Sequence, residues 1–115
     1  MAQLLNQSKN IVLAEEVEIA AHFWARLKGL LGREDLSPGL VLWIHQCNSI
    51  HTWFMKFSID VIFADKNLKI CAVFPNIEPW QFIFPVHRAS SVFEFTAGDL
   101  KKKNLEVGDQ LYVGD

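Results

Sequence analysis

The chain has 115 residues, 50% hydrophobic and 12% aromatic, which is enough for one well-filled domain and too short for a second core. Eleven basic residues stand against 13 acidic ones, net charge −2. They are scattered apart from Lys101-Lys102-Lys103, so the balance argues against nucleic acid as a partner.

No apolar run approaches the ~18 residues of a membrane span, and "MAQLLNQSKN" lacks the basic-then-apolar pattern of a signal peptide. Two cysteines, Cys47 and Cys71, are too few for a disulfide framework. The expectation is a soluble cytoplasmic domain over residues 1–115 with both thiols reduced and no membrane span.

In chain order, "IVLAEEVEI" (11–19) reads as one or two short strands, a β-branched start followed by Val17 and Ile19 alternating with acids. "AAHFWARLKGLLGR" (20–33) carries Phe23, Leu27, Leu30 and Leu31 on one helical stripe. Gly32 suits a helix end. "SPG" (37–39) is a turn before "LVLWIHQ" (40–46), a strand apolar on both faces. "IDVIFAD" (59–65) and "LKICAVF" (68–74) are strands that Lys66-Asn67 can join as a tight hairpin.

Pro75, Pro79 and Pro85 break the next stretch into an irregular aromatic loop or edge segment, and "SSVFEFTA" (90–97) alternates as a strand again. Asp99 is placed to cap one helical turn over 100–104, and "VGDQLYV" (107–113) closes with a turn and a strand. The inventory is α+β and mainly β: a compact antiparallel sheet or partly closed barrel, with one helix from the N-terminal half packed on it.

Chemistry concentrates in "CNSIHTWFMKFSID" (47–60). Cys47, His51 and Met55 stand four residues apart, on one face of either a helix or a strand. Four residues rise about 6 Å in a helix, within reach of one soft metal ion. In a strand they span about 13 Å, beyond it. Trp53, Met55, Phe57 and Ile59 alternate as a strand face does, so no metal site is expected from this stretch.

Asp60 interrupts an apolar strand and, if buried, needs a partner: His51, Thr52, Arg33 or backbone amides. Glu94 in "VFEF" raises the same question, with an outward-facing carboxylate as the simpler reading. A His with an Asp can do acid–base work, and a Cys with a His can make an activated thiolate.

The order Cys-x-x-Ile-His-Thr-x-x-Met-x-Phe-x-Ile-Asp, with "ARLKGLLGR" (25–33) before it and "PW…VFEFTAG" (79–98) after it, resembles the family catalogued as domain of unknown function number 192. The resemblance runs over about residues 20–113 and matches the family pattern at Arg26, Gly29, Leu30, Gly32, Arg33, Cys47, His51, Thr52, Met55, Asp60, Trp80, Glu94 and Gly98. It implies a small, mainly β domain with a helix near its start, and supplies no reaction, cofactor or physiological partner.

Three functions fit these residues. In the first, His51, Thr52 and Asp60, with Arg33, Glu94 and Trp80, form a polar cluster in a pocket walled by Trp53, Phe54 and Trp80 that binds a small ligand or peptide. In the second, a small enzyme uses His51 and Asp60 as an acid–base pair or Cys47 as nucleophile. In the third, the Pro/aromatic loop 75–85 is a contact patch for a protein partner.

Overall fold

The computed structural model describes residues 2–20, 39–53 and 55–114. Ten strands form there: β1 (Gln3–Asn6), β2 (Ile11–Ala14), β3 (Glu16–Ala20), β4 (Leu40–His45), β5 (Ile50–His51), β6 (Ile59–Ala64), β7 (Ile70–Ile77), β8 (Phe82–Ile83), β9 (Ser91–Thr96) and β10 (Leu111–Gly114). A single 3₁₀ turn covers Leu100–Lys102. The expected helix at 20–33 lies outside the described residues, apart from Ala20, which ends β3.

A five-stranded sheet, order β3-β4-β9-β6-β7, is the centre of the molecule. Its β6–β7 hairpin turns at Lys66-Asn67 as the sequence implies, where the Asp65 carboxylate accepts from the Asn67 and Lys69 amides at 2.9 Å each. One expectation needs correction: the sheet is mixed rather than antiparallel, because β3 and β4 run parallel. Of the two forms expected, a sheet or a partly closed barrel, it is the sheet, and among the described residues β3 and β7 are its separate edges. Residue alternation locates strands but does not set their direction, which follows from the connection. Parallel neighbours need a crossover rather than a hairpin, and residues 21–39 separate this pair.

Successive side chains of a strand point to opposite faces, so the apolar strands of this sheet feed two cores. Leu42 and Ile44 of β4, Val61 and Phe63 of β6 and Val92 of β9 build the first, joined by Ile50 and Met55. Val41, Ile62, Ala64, Phe93 and Phe95 build the second. There they meet Leu4, Leu13, Ala14 and Leu111 from a three-stranded sheet, order β10-β1-β2. Both β6 faces are therefore buried along its length. A fully covered side chain such as Phe63 or Phe93 contributes roughly 2–3 kcal/mol through burial.

β1 was not read from the sequence, because "QLLN" is too short and mixed to show a period. A polar knot fastens it to the C-terminal segment. The buried Asn6 Nδ2 donates to Asp109 Oδ2 at 2.9 Å, and the Glu106 amide donates to the same oxygen at 2.9 Å. Lys9 Nζ lies 2.8 Å from Glu106 Oε1 and 3.6 Å from Asp109 Oδ1. The Asn6 hydrogen bond, then the Glu106 amide and the Lys9 charge, hold the Asp109 carboxyl below the usual carboxylate range against the opposing effect of burial.

Candidate functional site

β4 ends at His45, and Gln46 turns the chain through a left-handed backbone, φ 50°. The Cys47 amide donates to Ser90 O at 3.0 Å, which fixes this turn against the segment entering β9. The Cys47 thiol donates to Ser49 O at 3.0 Å. β5 then pairs with β8 in a two-stranded ribbon, Ile50 opposite Ile83 and His51 opposite Phe82. Ile50 points into the first core, so alternation turns His51 outward. It lines a cleft of about 340 Å³ with Cys47, Asn48, Ser49 and Phe82.

His51 Nδ1 accepts the Trp53 N–H at 3.3 Å, and the two rings stack with centroids 4.4 Å apart. An imidazole whose Nδ1 accepts carries its proton on Nε2 when neutral. Around this end the aromatics stay in water: Trp53 is 45% exposed, Phe82 46%, Trp80 61% and Phe84 77%. Phe82 and Phe84 make an edge-to-face pair at 5.1 Å.

Thr52 is a clamp. Its hydroxyl donates to Glu78 O at 2.6 Å and accepts the Gln81 N–H at 2.9 Å. Its carbonyl accepts the amides of Trp80 and Met55 at 3.0 and 3.2 Å. The whole residue is buried, so these bonds fix the 78–81 loop beside β5 and hold Trp80 in a left-handed conformation at φ 66°.

Asp60 has a different environment. It alternates with Ile59 and Val61, both of the first core, so its carboxylate lies on the other face of the sheet. There Oδ1 accepts the Asn76 N–H at 2.8 Å. Oδ2 accepts those of Gly98 at 2.9 Å and Leu100 at 3.0 Å. Among the partners weighed for Asp60, backbone amides are the ones it bonds. It also supplies the oxygen that tops the 3₁₀ turn, since Asp99 makes no side-chain cap there.

The structure thus brings Cys47 and His51 to one cleft, with Trp53 stacked on His51. Asp60 lines another, of about 320 Å³, with Pro75, Asn76, Gly98 and Lys101. Glu94 is fully buried rather than outward-facing, on the first-core face of β9 opposite Leu42 and Val61. Met55 is buried in the first core. Arg33 and Phe54 lie outside the described residues.

Both cysteines are free thiols, and burial raises the Cys71 thiol above its ordinary value, with the Asp65 charge adding to it. Among the described residues no three His, Cys, Asp or Glu side chains gather as a metal site, and no helix is long and apolar enough to cross a membrane. Sequence reasoning missed Ser49, Asn48 and Phe82 as cleft residues. Only the β5–β8 pairing brings Phe82 to His51, and no local pattern announces a pairing of two-residue strands.

A central mixed sheet with a small sheet on one face and a two-stranded ribbon on the other defines a compact, mainly β domain with two cores. The chain belongs to the DUF192 family, described as uncharacterized ACR, which matches residues 4–113 and so reaches back into β1. It is 35% identical to a UPF0127 protein of Pyrococcus horikoshii, over 94% of this chain and 96% of that one. A UPF0127 protein of Thermococcus sibiricus is 32% identical, over 94% and 72%. Among solved structures it shares its fold with a protein of unknown function from Novosphingobium aromaticivorans, TM-score 0.78 and 17% identity, over 96% of this chain and 82% of that one. A Sinorhizobium meliloti protein shares it too, TM-score 0.74 and 20% identity, over 97% and 91%.

Proposed function

We propose that this domain is a small-ligand binding module whose site is the cleft between β5, β8 and the Cys47–Ser49 turn. The observation that carries the reading is His51: its Nδ1 is held by the Trp53 amide, its ring is stacked, and it faces a cleft beside half-exposed Phe82. A concave site in which apolar side chains, here Ile50 and Phe82, stand beside a few placed polar groups is the usual composition of a ligand pocket. Thr52 serves it indirectly, by holding Gln81 next to the cleft residue Phe82. Asp60 has no part in it, because its charge is spent on three amides across the sheet.

A thiol enzyme is the weaker reading. Cys47 is half-buried and its S–H is engaged by the Ser49 carbonyl within its own turn.

The test is a fragment library titrated into ¹⁵N-labelled protein. Hits that shift the amides of residues 47–53 and 82 in a saturable way are expected, and His51→Ala should abolish them. Hits that gather instead around Asn76, Gly98 and Lys101, or none at all, would reject the site.

A further inference from the structure

The His51 cleft does not end at Cys47. A neighbouring cleft of about 310 Å³ shares Gln46, Cys47 and Asn48 with it and continues along Ala89 and Ser90. A third, of about 410 Å³, shares Ser90 with the second and is lined by Asp65, Lys66, Asn67 and Arg88. The three adjoin in series through these shared residues, a trough with unlike ends: Phe82 and His51 line one, and Lys66, Arg88 and Ser90 line the other.

The cationic end is built on a fastened loop. The Val86 amide donates to Asn48 O at 2.8 Å, Ala89 to Val86 O at 3.1 Å, and Ser90 to Ala64 O at 2.8 Å. Between those anchors Arg88 sits at φ 70°, a left-handed backbone that costs a non-glycine residue roughly 1 kcal/mol or more. Gln46, at φ 50°, is in the same conformation midway along the trough. Among the described residues Asp65 is the carboxylate that lines this end, and it already accepts the Asn67 and Lys69 amides through Oδ1. Two cationic side chains therefore face it with their charge only partly offset.

Resting on the ligand-binding reading above, we infer that the trough takes an elongated small molecule with an oxyanion, phosphate or carboxylate, at Lys66, Arg88 and Ser90 and a planar ring against Phe82 and His51. Guanidinium and ammonium donors suit either oxyanion. A ring at the other end finds an aromatic face and an imidazole to pack on.

Phenylalkyl phosphates and phenylalkanoates of graded chain length, long enough to run through all three clefts, are the probes, with inorganic phosphate and phenol as the half-ligands, each titrated into ¹⁵N-labelled protein at low ionic strength. The expected result is joint shifts at residues 47–51 and at 66, 67 and 88–90, with one ring-bearing anion at least about tenfold tighter than either half. Which of the two series binds tighter identifies the head group. The double variant Lys66→Gln/Arg88→Asn, both positions exposed and Asn tolerant of a left-handed backbone, should weaken that anion about tenfold. Phenol binding and the melting temperature should stay unchanged. Raising the salt should weaken the native protein's binding and hardly affect the variant's. Shifts confined to 47–51 and 82, with phenol as good as the anions, would overturn the trough and leave the cleft reading intact. Unshifted amides at both ends would also overturn it, and the fragment screen decides the cleft separately.

Discussion

A carboxylate held by an amide side chain, a backbone N–H and a nearby ammonium is easier to ionise in the folded chain than in the unfolded one, and Asp109 is in that position. Its folded pKa is depressed, so its stabilisation is complete above the unfolded value near about 4 and is lost as pH falls through the folded value beneath it. Asp109→Asn should therefore be less stable than the native chain at neutral pH. The gap, followed by urea denaturation from pH 6 downward, should narrow once pH drops below about 4. A gap that holds constant to the acid end would deny the knot its charge. None of this was legible in the sequence, because Asn6 and Asp109 are at opposite ends of the chain and no local pattern couples them. At Asp60 the sequence signalled that a buried carboxylate needs partners. It could not choose among them, because backbone amides leave no trace in residue identity. Glu94 was harder still: one acid in an alternating strand reads the same inward or outward until both faces are known to be covered.

Single elements were more legible. β4, β6, β7 and β9 fall where apolar runs or alternation place strands, and the Asp65-Lys66-Asn67 turn joins β6 to β7 as its residue types imply. The prolines misled in part: β7 runs through Pro75 to Ile77, which an edge strand permits. β5 and β8 were beyond reach, since two-residue strands have no period and are too short to persist unaided. What keeps this ribbon in place is Thr52, whose hydroxyl joins β5 to the loop entering β8. Thr52→Val keeps the shape and deletes both hydroxyl bonds, leaving the Glu78 carbonyl and the Gln81 amide short of a partner. The expected loss is about 2 kcal/mol, read as a lower urea midpoint at unchanged slope. An unmoved midpoint would show that the hydroxyl adds nothing to the backbone bonds and packing that also hold the ribbon.

Across the whole molecule, the central sheet separates two kinds of polar group. On the second-core face Asp60 ties β6 to Asn76 of β7 and to the 3₁₀ turn with its leading Gly98, through three amides. On the other side His51 stands at a cleft, and Thr52 beside it holds Gln81 next to the cleft residue Phe82. Their closeness in sequence suggested one cluster, but strand alternation sends Asp60 to the face opposite the β5–β8 ribbon. If Asp60 serves the fold and His51 the proposed cleft, the two residues should differ sharply in what they contribute to stability. Thermal denaturation of Asp60→Asn beside His51→Ala tests this most directly. Asparagine has a single acceptor oxygen to set against three N–H donors, and its own NH₂ faces some of them. Asp60→Asn should lose about 3 kcal/mol, lowering the melting temperature by roughly 10 °C. His51→Ala, a half-buried ring at the edge of a cleft, should stay within about 3 °C of the native chain. An Asp60→Asn variant that melts with the native chain, or a His51→Ala variant that falls as far as Asp60→Asn was expected to, would contradict that division of roles.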